Sequence, residues 1–117
     1  IDYDMSSSLY DNSHPIWGNA LPYTTPVDTF VTNGYGLYGI IGNVWEWCHD
    51  KYNSTYYSNS PNINPTGPAK GTSRVLRGGS WQSSAPNCRV SNRFYNTPST
   101  RANCGFRISL KVEIDVL

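Results

Sequence analysis

A long irregular segment between two strand-like stretches most constrains the fold of this chain. The segment follows the apolar pair Val75-Leu76, which leads into Arg77-Gly78-Gly79-Ser80-Trp81, and it closes on Gly105-Phe106-Arg107. Between these ends, Pro, Asn, Ser, Arg and aromatic residues alternate with no helical or strand period. Long loops of this kind are uncommon inside compact domains and are often functional. We therefore expect a surface mounted between two strands.

The composition fits one small domain with little overall charge. The 117 residues suit a single domain spanning residues 1–117. Nine Tyr, four Trp and three Phe can build a small core and can also serve as contact residues on a polar surface. A net charge near +1 gives no indication of nucleic-acid binding, and no apolar run approaches the ~20 residues of a membrane helix. Because the chain begins with Ile1 rather than Met, we expect a fragment or a processed form.

Local patterns predict short strands, many turns and no strong amphipathic helix. Prolines and turn formers interrupt the first 35 residues, and residues 52–70 read as loop. An apolar run predicts a buried strand at 40–48, and strict alternation of apolar and polar residues predicts a strand buried on one face at 108–116. The extended stretches expected in all are 23–25, 27–30, 40–48, 74–77 and 108–116.

The cysteines and histidines define no site by themselves. Cys48, Cys88 and Cys104 are an odd number, so they do not form a disulfide framework. One disulfide with a free thiol and three free thiols both remain open. His14 and His49 are far apart in sequence, and their spacing gives neither a catalytic set nor a zinc site.

Several spaced motifs resemble one known family. In chain order they are Gly36-Leu37-Tyr38, Gly42-Asn43-Val44-Trp45-Glu46-Trp47, Pro65 to Pro68, Arg74-Val75-Leu76-Arg77-Gly78-Gly79-Ser80-Trp81, Asn87-Cys88-Arg89, Arg93 and Gly105-Phe106-Arg107. The series resembles the later half of the formylglycine-generating enzyme (sulfatase-modifying factor) family over about residues 1–109. The resemblance implies a loop-rich α+β fold of the C-type-lectin type with a twisted antiparallel sheet.

The family implies three kinds of function. Some members oxidise a cysteine of a sulfatase to formylglycine with copper(I) and dioxygen, and others work in different oxidative pathways. A third group, which includes variable proteins diversified by retroelements, is non-catalytic and binds ligands through the loop after Gly-Gly-Ser-Trp. The copper cysteines of the enzymes correspond here to Ser83 and Cys88. Since copper(I) prefers thiolates to hydroxyls, we expect no copper site. Cys88 is then a small buried residue, whereas Cys104 lies among polar neighbours where exposure is expected.

The resemblance also implies calcium, which takes oxygen ligands. One site would use the side chains of Asp2 and Asn19 and the carbonyls of Tyr3 and Leu21. The second would use Gly39, Gly42, Val44 and Glu46, but Gly39 replaces a side-chain donor there, so calcium is favoured at the first site while both interpretations stay open at the second. The other interpretation of Glu46 is a half-buried carboxylate that accepts backbone or arginine hydrogen bonds.

Residues 81–104, hereafter the recognition segment, mix aromatic and small polar residues as antibody paratopes do. The adjacent rings of Phe94 and Tyr95 predict at least one exposed aromatic beside Arg93, which is typical of binding hot spots. Turn formation alone explains most of the Asn, Ser and Thr residues. The candidate contact residues are Trp81, Gln82, Ser83, Ser84, Pro86, Asn92, Phe94, Tyr95, Thr97, Asn103 and Cys104.

These patterns predict a non-catalytic domain that binds a protein or another macromolecule, with display outside the cell or on a virion favoured. We expect no nucleic-acid partner and no membrane insertion. The resemblance to variable proteins implies that the candidate contacts other than Trp81 would vary between sibling genes within a fixed frame of Gly78, Gly79, Ser80, Cys88, Arg89, Arg93, Gly105, Phe106 and Arg107. The alternatives are a fragment of a copper-dependent formylglycine-generating oxidase or related oxidative enzyme, and a purely structural domain.

Overall fold

A computed structural model describes residues 24–110, which form a small mixed sheet with two short helices. In chain order the elements are β1 (Trp45–Lys51), α1 (Tyr56–Asn59), β2 (Arg74–Arg77), α2 (Ala85–Cys88), β3 (Phe94–Asn96) and β4 (Cys104–Gly105). The strand order is β3-β2-β1-β4. The β1–β2 and β2–β3 pairs are antiparallel as predicted, whereas β4 joins β1 in parallel. The architecture is the loop-rich α+β type expected from the sequence.

The first strand begins later than predicted, at Trp45 instead of residue 40. Gly42 and Asn43 have φ angles of 76° and 65°, in the left-handed region that a strand cannot contain. The Asn43 side chain fixes this turn, because its Oδ1 accepts the Thr25 amide at 2.9 Å and its Nδ2 donates to the Thr25 carbonyl at 3.2 Å. The strand is also half-buried rather than fully buried.

The recognition segment is more regular than predicted. It contains α2 and β3, and β3 pairs with β2 through Leu76↔Phe94 and Val75↔Tyr95. The interval 52–70 likewise contains one helical turn, α1. Residues 27–30 form a turn and a bend, and neither residues 24–26 nor residues 108–110 are in a strand. The strand predicted at 108–116 continues beyond the described residues from 111 onward. Residue 23, the first of the stretch predicted at 23–25, also lies outside them.

Val75 and Leu76 on β2 are the buried hydrophobic residues of the described chain, with exposed fractions of 5% and 1%. Burying such a side chain contributes about 1.5–3 kcal/mol. The strand register aligns Trp47, Leu76 and Phe94 on one face of the sheet. Val75 and Tyr95 lie on the opposite face. Within residues 24–110, no helix has the length and apolar character needed to cross a bilayer.

Candidate functional site

The turn after β2 holds the start of the recognition segment. Gly79 has a φ of 75°, and a Cβ built there would lie 2.4 Å from Cys88 Sγ, so only glycine allows α2 to pack this closely. Ser80 is 4% exposed, and its amide donates to Ser83 Oγ at 2.9 Å. The Ser83 amide donates back to the Ser80 carbonyl at 2.9 Å. Ser83 is therefore part of the rigid frame.

One group of candidate contacts lies beside β4. Trp81 Nε1 donates to Asn103 Oδ1 at 3.2 Å, and Asn103 Nδ2 donates to Gln82 Oε1 at 2.5 Å. The Asn103 carbonyl accepts the Trp45 amide at 2.7 Å, which fixes the cluster to β1. Cys104 follows on β4, and its thiol contacts the Ala102 carbonyl at 3.1 Å. Gln82 is the exposed member of this group.

A second group lies on β3, at the opposite edge of the sheet. Alternation along the strand places the Cβ atoms of Phe94 and Tyr95 on opposite faces, but their rings converge, with centroids 5.9 Å apart, and they are 45% and 48% exposed. Phe94 stacks on Trp45 with ring centroids 5.2 Å apart, and Tyr95 stacks on Tyr52 at 4.1 Å. Each ring is thus supported by neighbouring rings and remains about half exposed.

The structure does not bring all eleven candidate contacts onto one surface, because β3 and β4 are the two outer strands of the sheet. The remaining candidates lie between the two groups in sequence. Ser84 is the N-cap position of α2, and Pro86 lies in its first turn. Asn92 Nδ2 donates to the Asn87 carbonyl at 2.9 Å, and Thr97 Oγ1 lies 3.0 Å from Ser99 Oγ in a turn after β3.

Two tyrosines that the sequence interpretation left in a loop join the β3 group. The Arg93 guanidinium lies over the rings of Tyr57 and Tyr52, at 4.1 Å and 5.2 Å from their centroids. Tyr57 is 64% exposed. Tyr52, Tyr57, Arg93 and Tyr95 therefore form one continuous aromatic and cationic surface. The three tyrosines between residues 52 and 57 were the available signal for it.

A cleft of about 500 Å³ opens on the Val75 face of the sheet. Cys48 and Cys88 both line it, together with Arg77, Arg89 and Arg93. All three cysteines of the chain are free, so no disulfide joins them. Burial raises the pKa of each thiol, which disfavours the reactive thiolate.

The thiols do not reproduce the two-cysteine copper set of the resemblance. The hydroxyl of Ser83 stands at one of its positions and accepts a backbone hydrogen bond. Cys88, at the other, is half-buried and packs against Gly79, and Cys104 is half-buried rather than exposed. Within residues 24–110, no three His, Cys, Asp or Glu side chains are grouped as metal ligands.

Arg107 occupies the surroundings of the weaker calcium position. Its Nε donates to Glu46 Oε2 at 2.7 Å, and its Nη2 donates to Glu46 Oε1 and to the Gly39 carbonyl, the latter at 3.4 Å. The hydrogen bond to Glu46 raises the pKa of Arg107. The interpretation of Glu46 as an arginine-bonded carboxylate is confirmed. Both carboxylate oxygens of Glu46 and the Gly39 carbonyl accept hydrogen bonds from Arg107, and calcium at this position stays a prediction.

The other calcium prediction falls on Asp2, Tyr3, Asn19 and Leu21, which lie outside the described residues. Calcium at that position stays a prediction.

Comparison with known proteins identifies a matching family and several relatives. The family described as "Sulfatase-modifying factor enzyme 1-like domain" matches residues 3–112. The formylglycine-generating enzyme of Streptomyces coelicolor is 49% identical over 88 residues, which are 72% of this chain and 28% of the relative. The chain thus spans less than a third of the length of this relative.

Two solved structures share the fold. Treponema denticola variable protein 1 superimposes with a TM-score of 0.65 at 42% identity, over 72% of this chain and 31% of that protein. PvdO from Pseudomonas aeruginosa gives a TM-score of 0.67 at 29% identity, over 85% of this chain and 36% of that protein. These likenesses confirm the C-type-lectin-like fold predicted from the motifs. The chain therefore belongs to the sulfatase-modifying factor enzyme 1-like family.

Proposed function

We propose that this chain is a non-catalytic domain that binds a protein or another macromolecule through its recognition segment. The observation that carries the proposal is the pair Phe94 and Tyr95, two half-exposed rings in contact with each other on an outer strand of the sheet. In the part of the chain that the structure describes, β3 has one unpaired edge, and an edge beside exposed rings suits a partner that pairs with it. The similarity to a variable protein agrees with a binding role, whereas the similarity to formylglycine-generating enzymes keeps an oxidase fragment as the competing function.

The two rings are arranged to bind at low entropic cost. Trp45 supports Phe94 and Tyr52 supports Tyr95, so neither ring has to be ordered when a ligand arrives. A ligand that covers the open half of one ring removes on the order of 100 Å² of surface from water, which corresponds to about 2 kcal/mol per ring. Two such rings would provide the central hot spot of an interface.

The absence of a second thiol at the copper position supports the non-catalytic part of the proposal. Ser83 offers a hard hydroxyl where copper(I) chemistry needs a thiolate, and that hydroxyl already accepts the Ser80 amide. The raised pKa of the Cys88 thiol, caused by burial, further opposes thiolate formation. Ser83 and Cys88 thus hold the frame of the recognition segment.

The binding proposal can be tested with a displayed library of random peptides selected against the 117-residue chain. Selected peptides are expected to lose about tenfold or more in affinity for each of Phe94→Ala and Tyr95→Ala. Tyr35→Ala is the matched control, because Tyr35 is an exposed tyrosine outside the recognition segment. Peptides that bind both β3 variants as tightly as the unmodified chain would contradict the proposed surface.

The non-catalytic proposal can be tested by copper(I) titration against a competing chelator. We expect no tight stoichiometric binding to the chain, and no difference between the chain and Cys88→Ser. Tight binding of one copper(I) that disappears in Cys88→Ser would instead favour the oxidase. Oxidation of a sulfatase-type cysteine peptide in the presence of copper would then establish that activity.

Diversification of the recognition segment is the finer part of the proposal. Its exposed candidate positions, which are Gln82, Pro86, Phe94, Tyr95 and Thr97, can change without disturbing the turn after β2. Sequences of sibling genes test this directly. Changes concentrated at these positions support diversification, whereas changes spread evenly over the frame oppose it.

A further inference from the structure

The charges of this chain are strongly segregated along the sequence. All nine Lys and Arg residues lie between Lys51 and Lys111, and all eight Asp and Glu residues lie outside that range. The net charge of +1 therefore conceals a long stretch that is cationic and contains no acid. The whole recognition segment falls within this stretch.

The described structure leaves most of this positive charge without a carboxylate. Arg107 and Glu46 form the ion pair found within residues 24–110. Other arginines donate to backbone carbonyls instead, with Arg74 bonded to His49, Arg77 to Val90, Arg89 to Pro86 and Arg93 to Asn53. A carbonyl accepts a hydrogen bond but carries no formal charge, so these contacts do not neutralise the guanidinium groups.

The cleft on the Val75 face collects these cations. Five Lys or Arg side chains and two acidic side chains line it, and one of the acids, Glu46, is already paired with Arg107. Arg89 is exposed and Arg93 is half-buried. Low-dielectric walls around a cleft of one sign strengthen its attraction for the opposite charge.

Arg93 is held in an orientation that suits a carboxylate. Its guanidinium is stacked on Tyr57 and Tyr52, which limits the rotation of the planar group. Its bonds to the Asn53 carbonyl are long, at 3.4 Å and 3.5 Å, so it retains donor capacity for a stronger acceptor. An oriented guanidinium fork binds a carboxylate with two parallel hydrogen bonds.

We propose that the partner of the recognition segment is an acidic protein segment whose carboxylates bind Arg89 and Arg93 at the cleft while its backbone approaches the outer edge of β3. This inference rests on the binding function proposed above. A peptide is favoured over a nucleic acid because the rings are already paired, Tyr95 with Tyr52 and Phe94 with Trp45, and do not form an open row for successive bases. Among residues 24–110 no strand pairs with the outer edge of β3, and such an edge suits an extended chain.

The test measures fluorescence anisotropy of a labelled oligoglutamate peptide mixed with the 117-residue chain. An oligoglutamine peptide of equal length and a single-stranded oligonucleotide of equal charge serve as comparison probes. The oligoglutamate is expected to bind most tightly and to weaken as salt is raised, since the screening length is only about 10 Å at 0.1 M. Arg89→Gln and Arg93→Gln are each expected to raise the Kd about three- to tenfold.

Lys70→Gln is the matched control, because Lys70 is exposed, belongs to the same acid-free stretch and does not line the cleft. It is expected to leave the Kd within about twofold, as for an isolated surface charge. If circular dichroism shows that Arg93→Gln does not fold, the Kd of Arg89→Gln decides the test, because Arg89 is exposed. Arg93→Lys is a further variant, which keeps the charge while removing the stacked guanidinium.

Three results would overturn the inference: no oligoglutamate binding, tighter binding of the oligonucleotide, or equal losses in Lys70→Gln and Arg89→Gln. The peptide-library selection separates this failure from failure of the proposed function. Selection of neutral peptides whose binding depends on Phe94 and Tyr95 would support the recognition surface and contradict the proposal of an acidic partner. Failure of both experiments would reject both.

Discussion

The substitution Gly79→Ala tests whether Cys88 is a packing residue of the frame. Gly79 has a φ of 75°, and an added Cβ would meet Cys88 Sγ at 2.4 Å, Cα at 3.2 Å and Cβ at 3.3 Å. Gly36 provides a matched control, because it has the same φ of 75° but nothing lies within 4 Å of an added Cβ. Gly36→Ala therefore isolates the cost of the backbone conformation.

The structure gives a different cost for each change. A left-handed φ costs a residue with a Cβ about 1–2 kcal/mol, so Gly36→Ala should reduce the free energy of unfolding by about that amount. Gly79→Ala adds the overlap with Cys88, for which overpacking typically costs about 1–3 kcal/mol more. The total of about 2–5 kcal/mol is a large fraction of the stability of a small domain.

The measurement is urea unfolding followed by tryptophan fluorescence for Gly36→Ala, Gly79→Ala, Cys88→Ala and the Gly79→Ala/Cys88→Ala double variant. Removing the sulfur relieves the contact with Sγ but leaves the contacts with Cα and Cβ. We therefore expect the double variant to be about 1 kcal/mol more stable than the sum of the two single losses predicts. Equal costs for Gly79→Ala and Gly36→Ala, or strict additivity in the double variant, would refute the close packing of α2 on the turn.

Three further outcomes are expected. Asn103→Ala should lose about 1–2 kcal/mol of stability in urea unfolding, because it removes two side-chain hydrogen bonds and because alanine tolerates the φ of 55° less well than asparagine, whereas Asn103→Gly should lose less. Calcium should shift the Tm of the chain and of Glu46→Gln equally, and a larger shift in the unmodified chain would show that calcium displaces Arg107. Burial raises the pKa of Cys48, so the unfolded chain releases this proton first and stability should fall as pH rises above the ordinary thiol pKa of about 8.5. Urea midpoints should show a smaller fall for Cys48→Ala, and an equal fall would contradict this linkage.

The sequence predicted β2 and the turn after it because local signals and tertiary structure agree there. Arg74–Arg77 forms the predicted strand, and the two glycines that follow have φ angles of 90° and 75°, which the chain needs to reverse direction. The start of β1 was misplaced because apolar character alone does not reveal a left-handed residue. Asn43 adopts that conformation through its bonds to Thr25, which are distant in sequence.

The edge strand β3 could not be predicted from local pattern. Its three residues are too few to show a period, and they become a strand because β2 offers a partner in register. The same reasoning explains why Ile108 and Leu110 alternate with polar residues without forming a strand within the described chain. Alternation shows that a segment can pair, but a neighbouring strand decides whether it does.

The sequence predicted only part of the candidate site, because some of its residues are exposed while others are bonded to each other elsewhere on the sheet. Phe94 and Tyr95 were predicted to show at least one exposed ring, and both are exposed. Trp81 and Asn103 were grouped with them by sequence proximity, yet their side chains bond each other near the opposite sheet edge. The sequence placed Arg93 in the fixed frame, and its stacking on Tyr57 could not be foreseen, because that contact joins residues far apart in sequence.

Ser83 shows how one atom separates the proposed binding function from the competing oxidase. A hydroxyl oxygen is a good acceptor for the Ser80 amide at 2.9 Å, and this bond closes the turn from which the recognition segment starts. A thiol sulfur is a weak acceptor with a longer reach, but it is the ligand that copper(I) prefers. The same position therefore favours a rigid turn with oxygen and a metal ligand with sulfur. Because the turn is joined to α2 through the Gly79–Cys88 contact, the choice of oxygen at residue 83 stabilises the frame that holds the surface.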